Sequence, residues 1–226
     1  MATLLNNASA PYFFLILSLT TIILSFSPSH SSDPDPLQDF CVADLNSAIL
    51  VNGFPCKPAS KVNSKDFISY VLAKEGNTSN VFKSAITNAN VQAFPGLNTL
   101  GISMNRVDLA PGGIFPPHSH PRSTEAGVVI IGEVLVGFVS SSNVLYSNVV
   151  KAGDMFVIPR GLVHFILNKG HGKALTISAF NSQGQVSSVV PNILFGSKPT
   201  IPNEVLTKTF QVSESVIKSI KSKFAS

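Results

Sequence analysis

The feature that most constrains the fold is a series of short apolar runs between Gly101 and Asn181. Each run is rich in Val, Ile and Phe, ends at Gly, Pro or Asn, and begins about ten residues after the one before it. This spacing is typical of an antiparallel barrel or sandwich and does not suit alternating strands and helices. The sequence therefore predicts an all-β domain, with strands over residues 102–109, 126–131, 134–139, 144–149, 155–158, 163–167 and 174–180.

Composition agrees with a packed domain that associates with itself. The chain has 226 residues, 44% of them hydrophobic and only 12% charged, which excludes intrinsic disorder. This length suits one ordinary domain or two small ones. Residues 128–131 and 134–136 are continuously apolar, so we expect both faces of these strands to be covered by a second sheet or by another subunit.

The C-terminal part of the chain has a different period. After Pro202, apolar residues recur at three- and four-residue steps, which predicts an amphipathic helical tail within residues 201–226. Lys218, Lys221 and Lys223 fall near its end, where cations interact favourably with the helix dipole. The other basic residues are spread along the chain, Trp is absent and only three Tyr occur, so we expect no nucleic-acid partner.

Residues 1–32 are predicted to be a signal peptide. The apolar stretch 13–26 is shorter than the roughly 20 residues that span a bilayer, and the Asp-Pro pairs at 33–36 end any helix. We expect cleavage near Ser31 or Ser32 and a secreted chain with no membrane span. No Lys or Arg precedes the apolar stretch, and a buried N-terminal helix or a membrane anchor remains the alternative.

Residues 33–100 are interpreted as an N-terminal extension of loops and short strands that packs on the barrel. In an oxidising compartment its two cysteines, Cys41 and Cys56, are expected to form one disulfide. A redox pair or a metal site fits less well, because a catalytic pair is usually Cys-x-x-Cys and zinc needs more ligands nearby. Asn77 begins an Asn-Thr-Ser glycosylation site in a polar stretch that should be exposed.

Three histidines fall in two compact motifs. The first runs from Gly112 and contains His118, His120 and Glu125. On an extended segment the two histidines point to the same face, because side chains alternate along a strand. Glu125 follows the bend at Pro121 and can turn back toward that face.

The second motif runs from Gly153 through Pro159 to His164 and Asn168. His164 belongs to another predicted strand, so the barrel must bring it opposite the histidine pair. A further histidine, His171, stands alone in a glycine-rich turn and is interpreted as a surface residue.

These residue types suit a metal ion. Three neutral imidazoles and one carboxylate leave two positions open on a divalent metal that prefers six ligands, which indicates catalysis rather than structural bracing. Imidazole alone would suit Mn, Fe, Zn, Cu or Ni, and the hard carboxylate favours Mn or Fe. We therefore interpret His118, His120, Glu125 and His164 as metal ligands and catalytic residues.

The sequence resembles the plant germin-like proteins of the cupin superfamily over nearly the whole chain that follows residue 32. The two histidine motifs match the cupin boxes, Gly-x5-His-x-His-x4-Glu-x6-Gly and Gly-x5-Pro-x4-His-x3-Asn, without a gap. Further matching stretches are 33–44, 94–103, 195–197 and 205–208. The resemblance implies a cupin jelly-roll β-barrel at 101–200, Mn2+ on the four ligands, a Cys41–Cys56 disulfide, homohexamers clasped by helices at 201–226, and residence in the apoplast or cell wall.

The resemblance also implies a choice of reactions. Germins are oxalate oxidases that dismute superoxide as well, whereas many germin-like relatives show only the dismutase reaction or none. Of the two asparagines associated with oxalate contact, Asn105 matches the first, but Phe115 stands at the second position. Losing that hydrogen bond to a charged substrate would cost about 1.5–3 kcal/mol.

We therefore expect superoxide dismutation, with a role in plant defence. Oxalate oxidation ranks second. A non-enzymatic cell-wall binding or receptor protein, such as one for auxin or bacterial adhesion, ranks third. Motifs of phosphate loops, Rossmann folds and serine hydrolases do not occur in the sequence.

Overall fold

A computed structural model describes residues 38–50 and 53–224. The predicted signal peptide and the start of the predicted extension lie outside the described residues. Within these ranges the chain is built mainly from ten antiparallel strands. They are β1 (Ser84–Ala89), β2 (Ser103–Leu109), β3 (Ile114–Ser119), β4 (Glu125–Ile131), β5 (Glu133–Val139), β6 (Leu145–Lys151), β7 (Met155–Ile158), β8 (Val163–Asn168), β9 (Ala174–Phe180) and β10 (Ser188–Val189).

The strands form two five-stranded sheets that enclose one core. The first sheet has the order β1-β2-β9-β4-β7, and the second has the order β10-β3-β8-β5-β6. Alternate side chains of both sheets point inward, as the period of a strand requires. The buried apolar cluster between them comprises Val107, Leu109, Phe115, Val129, Val134, Val136, Ile158, Ile166 and Ala174. The expected all-β jelly-roll barrel is confirmed.

All seven predicted strands are present, with ends within two residues of the predicted ones. The structure adds β1, β3 and β10 to them. β3 contains Pro116 and Pro117, and the register of its pairing with β8 shifts between Phe115 and His118. The shift spans the two residues that have no N–H to donate to a neighbouring strand.

The described part of the N-terminal extension is held together by a disulfide and by backbone contacts of its own residues. Cys41 and Cys56 form the expected disulfide, with 4.8 Å between their Cα atoms. Ala43 is buried, pairs with Cys56 in an isolated bridge, and donates its N–H to the carbonyl of Pro95 at 3.0 Å. Short 3-10 helices cover Ala59–Lys61, Ser64–Phe67 and Pro95–Leu97. Asn77 is exposed, and glycosylation at this residue stays a prediction.

Three short helices follow the barrel, two of them in the predicted tail. They are α1 (Val190–Gly196), α2 (Asn203–Phe210) and α3 (Glu214–Lys221). The tail is interrupted at Gln211, whose φ of 54° places it in the left-handed region and ends α2. Each tail helix has one buried apolar residue, Leu206 in α2 and Ile217 in α3. Among the described residues, no helix is both long and apolar enough to cross a bilayer.

Candidate metal centre

The site is assembled from both sheets. His118 lies in β3 and His120 directly after it, and the intervening Ser119 points away, as expected for alternating side chains. His164 lies in β8 and is the direct cross-strand partner of His118. Glu125 begins β4 in the other sheet. The four residues that the sequence singled out are therefore brought to one end of the barrel interior.

The four side chains are buried and lie close together. The four side chains belong to residues that are only 1–2% exposed. Their ligand atoms all lie within 4.8 Å of one another, a separation that a single metal ion can bridge. The Nε2 atom of His164 is 3.0 Å from Glu125 Oε2, and that of His120 is 3.2 Å from the same oxygen. Glu125 has therefore turned back toward the histidines, as the bend at Pro121 predicted.

Backbone carbonyls orient all three imidazole rings. The Nδ1 atom of His118 is 2.8 Å from the carbonyl oxygen of Pro116, and that of His164 is 2.9 Å from the carbonyl of Leu162. The Nδ1 atom of His120 is 3.0 Å from the carbonyl of Val186. A carbonyl only accepts, so each Nδ1 carries the proton and donates it. Each Nε2 atom is left facing the centre with a lone pair, which is the usual arrangement for metal-binding histidines.

This arrangement fits a cation. With Nδ1 protonated, a neutral His164 would place a nitrogen lone pair 3.0 Å from a carboxylate oxygen, which is repulsive unless a positive charge lies between them. His120 Nε2 is buried and has no aligned hydrogen-bond partner among the described residues. Three nitrogens and one carboxylate are ligands that first-row divalent metals accept. The residues present therefore suit a divalent metal ion.

The charge states agree with this conclusion. Burial, together with the neighbouring His164, lowers the pKa of His118 to about 3, so the ring is neutral and able to bind a metal. Burial acts to raise the pKa of Glu125, but hydrogen bonding and positive charge at His120 and His164 outweigh it and lower the pKa below its usual value, and a metal ion at the same place would act in the same direction. Glu125 is therefore an anion near neutral pH.

Aromatic rings form two walls of the site. Phe115 stacks on His118 with 3.6 Å between ring centroids and 17° between ring planes. Phe180 meets His120 edge-on, with centroids 4.8 Å apart. The sequence predicted a pocket position for Phe115, whereas Phe180 was missed because only the pairing of β4 with β9 brings it beside Glu125.

Further buried polar side chains lie inside the barrel, on strands of the first sheet. Asn105 in β2 pairs with Ser178 in β9, and Thr176 lies two residues before Ser178 on the same inward face. The hydroxyls of Ser178 and Thr176 and the whole side-chain amide of Asn105 have no partner among the described residues. Buried polar atoms in this state usually contact water or a ligand. The sequence had identified Asn105 but not the two hydroxyls.

Comparisons with known proteins agree with the fold. The family model described as Cupin matches residues 70–218. Germin-like protein subfamily T member 2 of Arabidopsis thaliana is 55% identical over 225 residues and covers 100% of both chains. The chain belongs to the germin-like cupins.

Relatives with an assigned activity are nearly as similar. Oxalate oxidase 2 of Hordeum vulgare is 53% identical over 215 residues, covering 93% of this germin-like protein and 96% of the relative. A solved structure described as recombinant oxalate oxidase in complex with glycolate has 55% identity and a TM-score of 0.84, covering 85% of this chain and 98% of the other. The expected family is therefore confirmed, and the jelly-roll fold is shared with an enzyme.

Proposed function

We propose that this germin-like protein is a secreted manganese protein of the apoplast that dismutes superoxide. Two superoxide ions and two protons would give one O2 and one H2O2. The observation that carries the proposal is the buried cluster of three carbonyl-oriented imidazoles and one carboxylate. His118, His120, Glu125 and His164 would hold the ion through three Nε2 atoms and one carboxylate oxygen.

Manganese is the metal that best fits both the ligands and the reaction. Four protein ligands leave two of six positions open, and the hard carboxylate favours Mn or Fe over Cu or Zn. When bound, manganese supplies one-electron chemistry between its +2 and +3 states and attracts a small anion. Solved relatives that act on oxalate share the fold, which supports a redox role for the cluster.

The chain's own residues prepare the site for that chemistry. The carbonyls of Pro116, Leu162 and Val186 hold the Nδ1 protons, so the rings keep one tautomer and one orientation. Glu125 contributes a negative charge that balances part of the charge of the cation. Burial of all four residues keeps bulk water out and strengthens these electrostatic interactions.

Phe115 supports superoxide over a larger anion. Its ring covers one face of His118, and it cannot donate a hydrogen bond to a substrate. A diatomic anion needs little space and few polar contacts, whereas a dicarboxylate has four oxygens to satisfy. Superoxide is therefore the better match for a pocket with an aromatic wall.

Oxalate oxidation is the second candidate. It is favoured by the 53% identity to an oxalate oxidase and by Asn105, whose buried amide has no partner among the described residues and is available to a carboxylate. Oxalate would be oxidised to two CO2 while O2 is reduced to H2O2, with the two protons supplied by solvent. Because Phe115 cannot donate a hydrogen bond, we expect this protein to bind oxalate more weakly than an enzyme with asparagines at both positions.

The decisive test is a pair of assays on the secreted, purified protein loaded with manganese. We expect superoxide to disappear faster than with free Mn2+ at the same concentration, and we expect little oxidation of oxalate. His118→Ala should lose both the metal and the activity. Full manganese and a full dismutase rate in that variant would contradict the assignment, and a metal-loaded protein inactive on both substrates would favour a binding or receptor role.

A further inference from the structure

A cavity lies beside the candidate metal centre and is lined by a different set of residues. It has a volume of about 670 Å3, which is within the usual range for small-ligand sites of roughly 300–1,000 Å3. None of the four metal-binding residues lines it. Val186, whose carbonyl orients His120, forms part of its wall. The cavity is therefore a neighbour of the metal site rather than an extension of it.

Two arginines make the cavity positive. Arg122 and Arg160 both line it, and no Asp or Glu is among the lining residues that the structure describes. Arg160 donates its Nε–H to the carbonyl of Pro121 at 3.0 Å, which orients the guanidinium, and its terminal nitrogens have no partner among the described residues. Arg122 makes no ion pair or side-chain hydrogen bond within residues 38–50 and 53–224. Oriented guanidinium groups are well suited to bind carboxylates.

Neutral polar side chains complete the lining. Gln185 is only 4% exposed, and its Nε2 donates to Asn88 Oδ1 at 3.3 Å and to the carbonyl of Met104 at 3.4 Å. These bonds hold Gln185 in the cavity wall, and its Oε1 atom is closed off from solvent, so this amide shapes the cavity rather than contacting a ligand. Gln92 adds an exposed amide to the same cavity. Amides both donate and accept, which matches the two-way hydrogen bonding of hydroxyl groups.

An apolar surface lies among these polar groups. Phe54 and the buried Val91 both line the cavity. An aromatic ring beside amides and guanidinium groups can cover the C–H face of a sugar ring while its polar edges are hydrogen-bonded. We propose that this cavity binds a sugar acid of the uronic acid class, with the carboxylate on Arg122 and Arg160 and a hydroxyl on the exposed amide of Gln92. This site goes beyond the proposed function and does not depend on which metal the protein holds.

The test is calorimetric titration of the full secreted protein with D-glucuronate. We expect a Kd of about 1 mM or below. D-glucose, which lacks the carboxylate, and acetate, which lacks the hydroxyls, should each bind at least tenfold more weakly. Equal affinity for glucuronate and glucose, or no glucuronate binding at all, would overturn the proposal.

A matched pair of variants locates the site. The double variant Arg122→Gln with Arg160→Gln should lose at least tenfold in glucuronate affinity. Lys169→Gln with Lys223→Gln removes the same charge from exposed positions that do not line the cavity, and it should bind as the unaltered protein does. Equal losses in both pairs would mean a general charge effect and would contradict the proposal.

A measurement on the unaltered protein covers the case in which the arginine variant does not fold. Phenylglyoxal modifies accessible arginines, and peptide mass spectrometry reports each position separately. Glucuronate should slow modification of Arg122 and Arg160 but not of the salt-bridged Arg106. Unchanged rates at Arg122 and Arg160 would overturn the proposal.

Discussion

At the scale of single residues, Phe115 is the side chain from which we infer the choice of substrate. It is 3% exposed, belongs to the core cluster and stacks on His118, one of the four candidate metal ligands. Its position in the chain was readable from the sequence, whereas its stacking depends on the shift in pairing between β3 and β8. The side chain therefore contributes both to core packing and to the wall of the candidate metal site.

Replacing Phe115 with Asn should raise oxalate oxidation. A restored hydrogen bond to a carboxylate contributes about 1.5–3 kcal/mol, so kcat/KM for oxalate should rise roughly ten- to hundredfold per bound metal. Rates should be measured by H2O2 release and normalised to metal content, because removing a buried ring also destabilises the fold.

Phe115→Ala is the matched control for this change. It makes a similar cavity without supplying an amide, and its oxalate activity should stay near that of the unaltered protein. If Phe115→Ala gained as much oxalate activity as Phe115→Asn, space rather than hydrogen bonding would limit the reaction.

A comparison of His164 with His171 tests which histidines bind the metal. His164 is buried in the cluster, whereas His171 is exposed in a turn. His164→Ala should lower metal affinity by at least tenfold, because removing a direct ligand costs no less than removing its hydrogen-bond partner. Metal content after dialysis measures this, and His171→Ala should retain the metal. Equal retention in both variants would exclude His164 as a ligand.

The four cluster residues could be predicted from the sequence, but the carbonyl groups that orient the histidine rings could not. His118, His120, Glu125 and His164 carry the side-chain chemistry and were visible as spaced residue types. The carbonyl that orients His120 belongs to Val186, 66 residues further along the chain. Any residue can supply a carbonyl, so residue type alone gives no signal for such a partner.

Among the elements, β4 and β7 position Glu125. Gly127 lies two residues after Glu125 in β4 and pairs with Phe156 of β7. A Cβ atom at Gly127 would lie 2.1 Å from the Phe156 ring, so the glycine allows that ring to pack across the strand.

Gly127→Ala should destabilise the protein by about 1–3 kcal/mol, because the Phe156 ring must move out of a packed position. Urea unfolding measures this change. Gly172→Ala is the control, since its Cβ would meet nothing within 4 Å and should change the free energy of unfolding by about 0.5 kcal/mol or less. A Gly127→Ala variant as stable as the control would show that Phe156 shifts without cost.

Three elements were not predicted from the sequence, each for its own physical reason. β1 is an edge strand of short and polar residues that is held by its pairing with β2. β3 contains two prolines, which weaken any strand prediction, and its extended form depends on pairing with β8 and β10. The helix α1 is seven residues long and begins with Val190-Pro191, so its own sequence gives little helical signal.

At the scale of the whole molecule, the outer face of the first sheet is unusually apolar. Met155 is 71% exposed, Val157 58% and Ile130 46%, and all three lie on the outward-facing positions of β4 and β7. A contiguous patch of this kind usually marks a contact with another chain. The same patch accounts for the continuously apolar run at 128–131, because one face of β4 is buried in the barrel and its other face is apolar and exposed.

We therefore expect the protein to form homo-oligomers, as hexamers on the family's pattern. Val157→Lys should shift the molecular mass measured by light scattering toward that of the monomer, because burying an unpaired charge in an apolar interface is costly. Ser141→Lys, at an exposed turn between β5 and β6, should leave the mass unchanged. A monomeric unaltered protein would contradict the expectation, as would a Val157→Lys variant of unchanged mass.

The central claim is that the four-residue cluster holds a redox-active metal. Elemental analysis of the secreted, purified protein tests it most directly, because metal content can be measured without knowing the substrate. We predict about one manganese per chain, since the cluster offers four ligands to a single ion. Zinc in its place, or no metal at all, would contradict the claim.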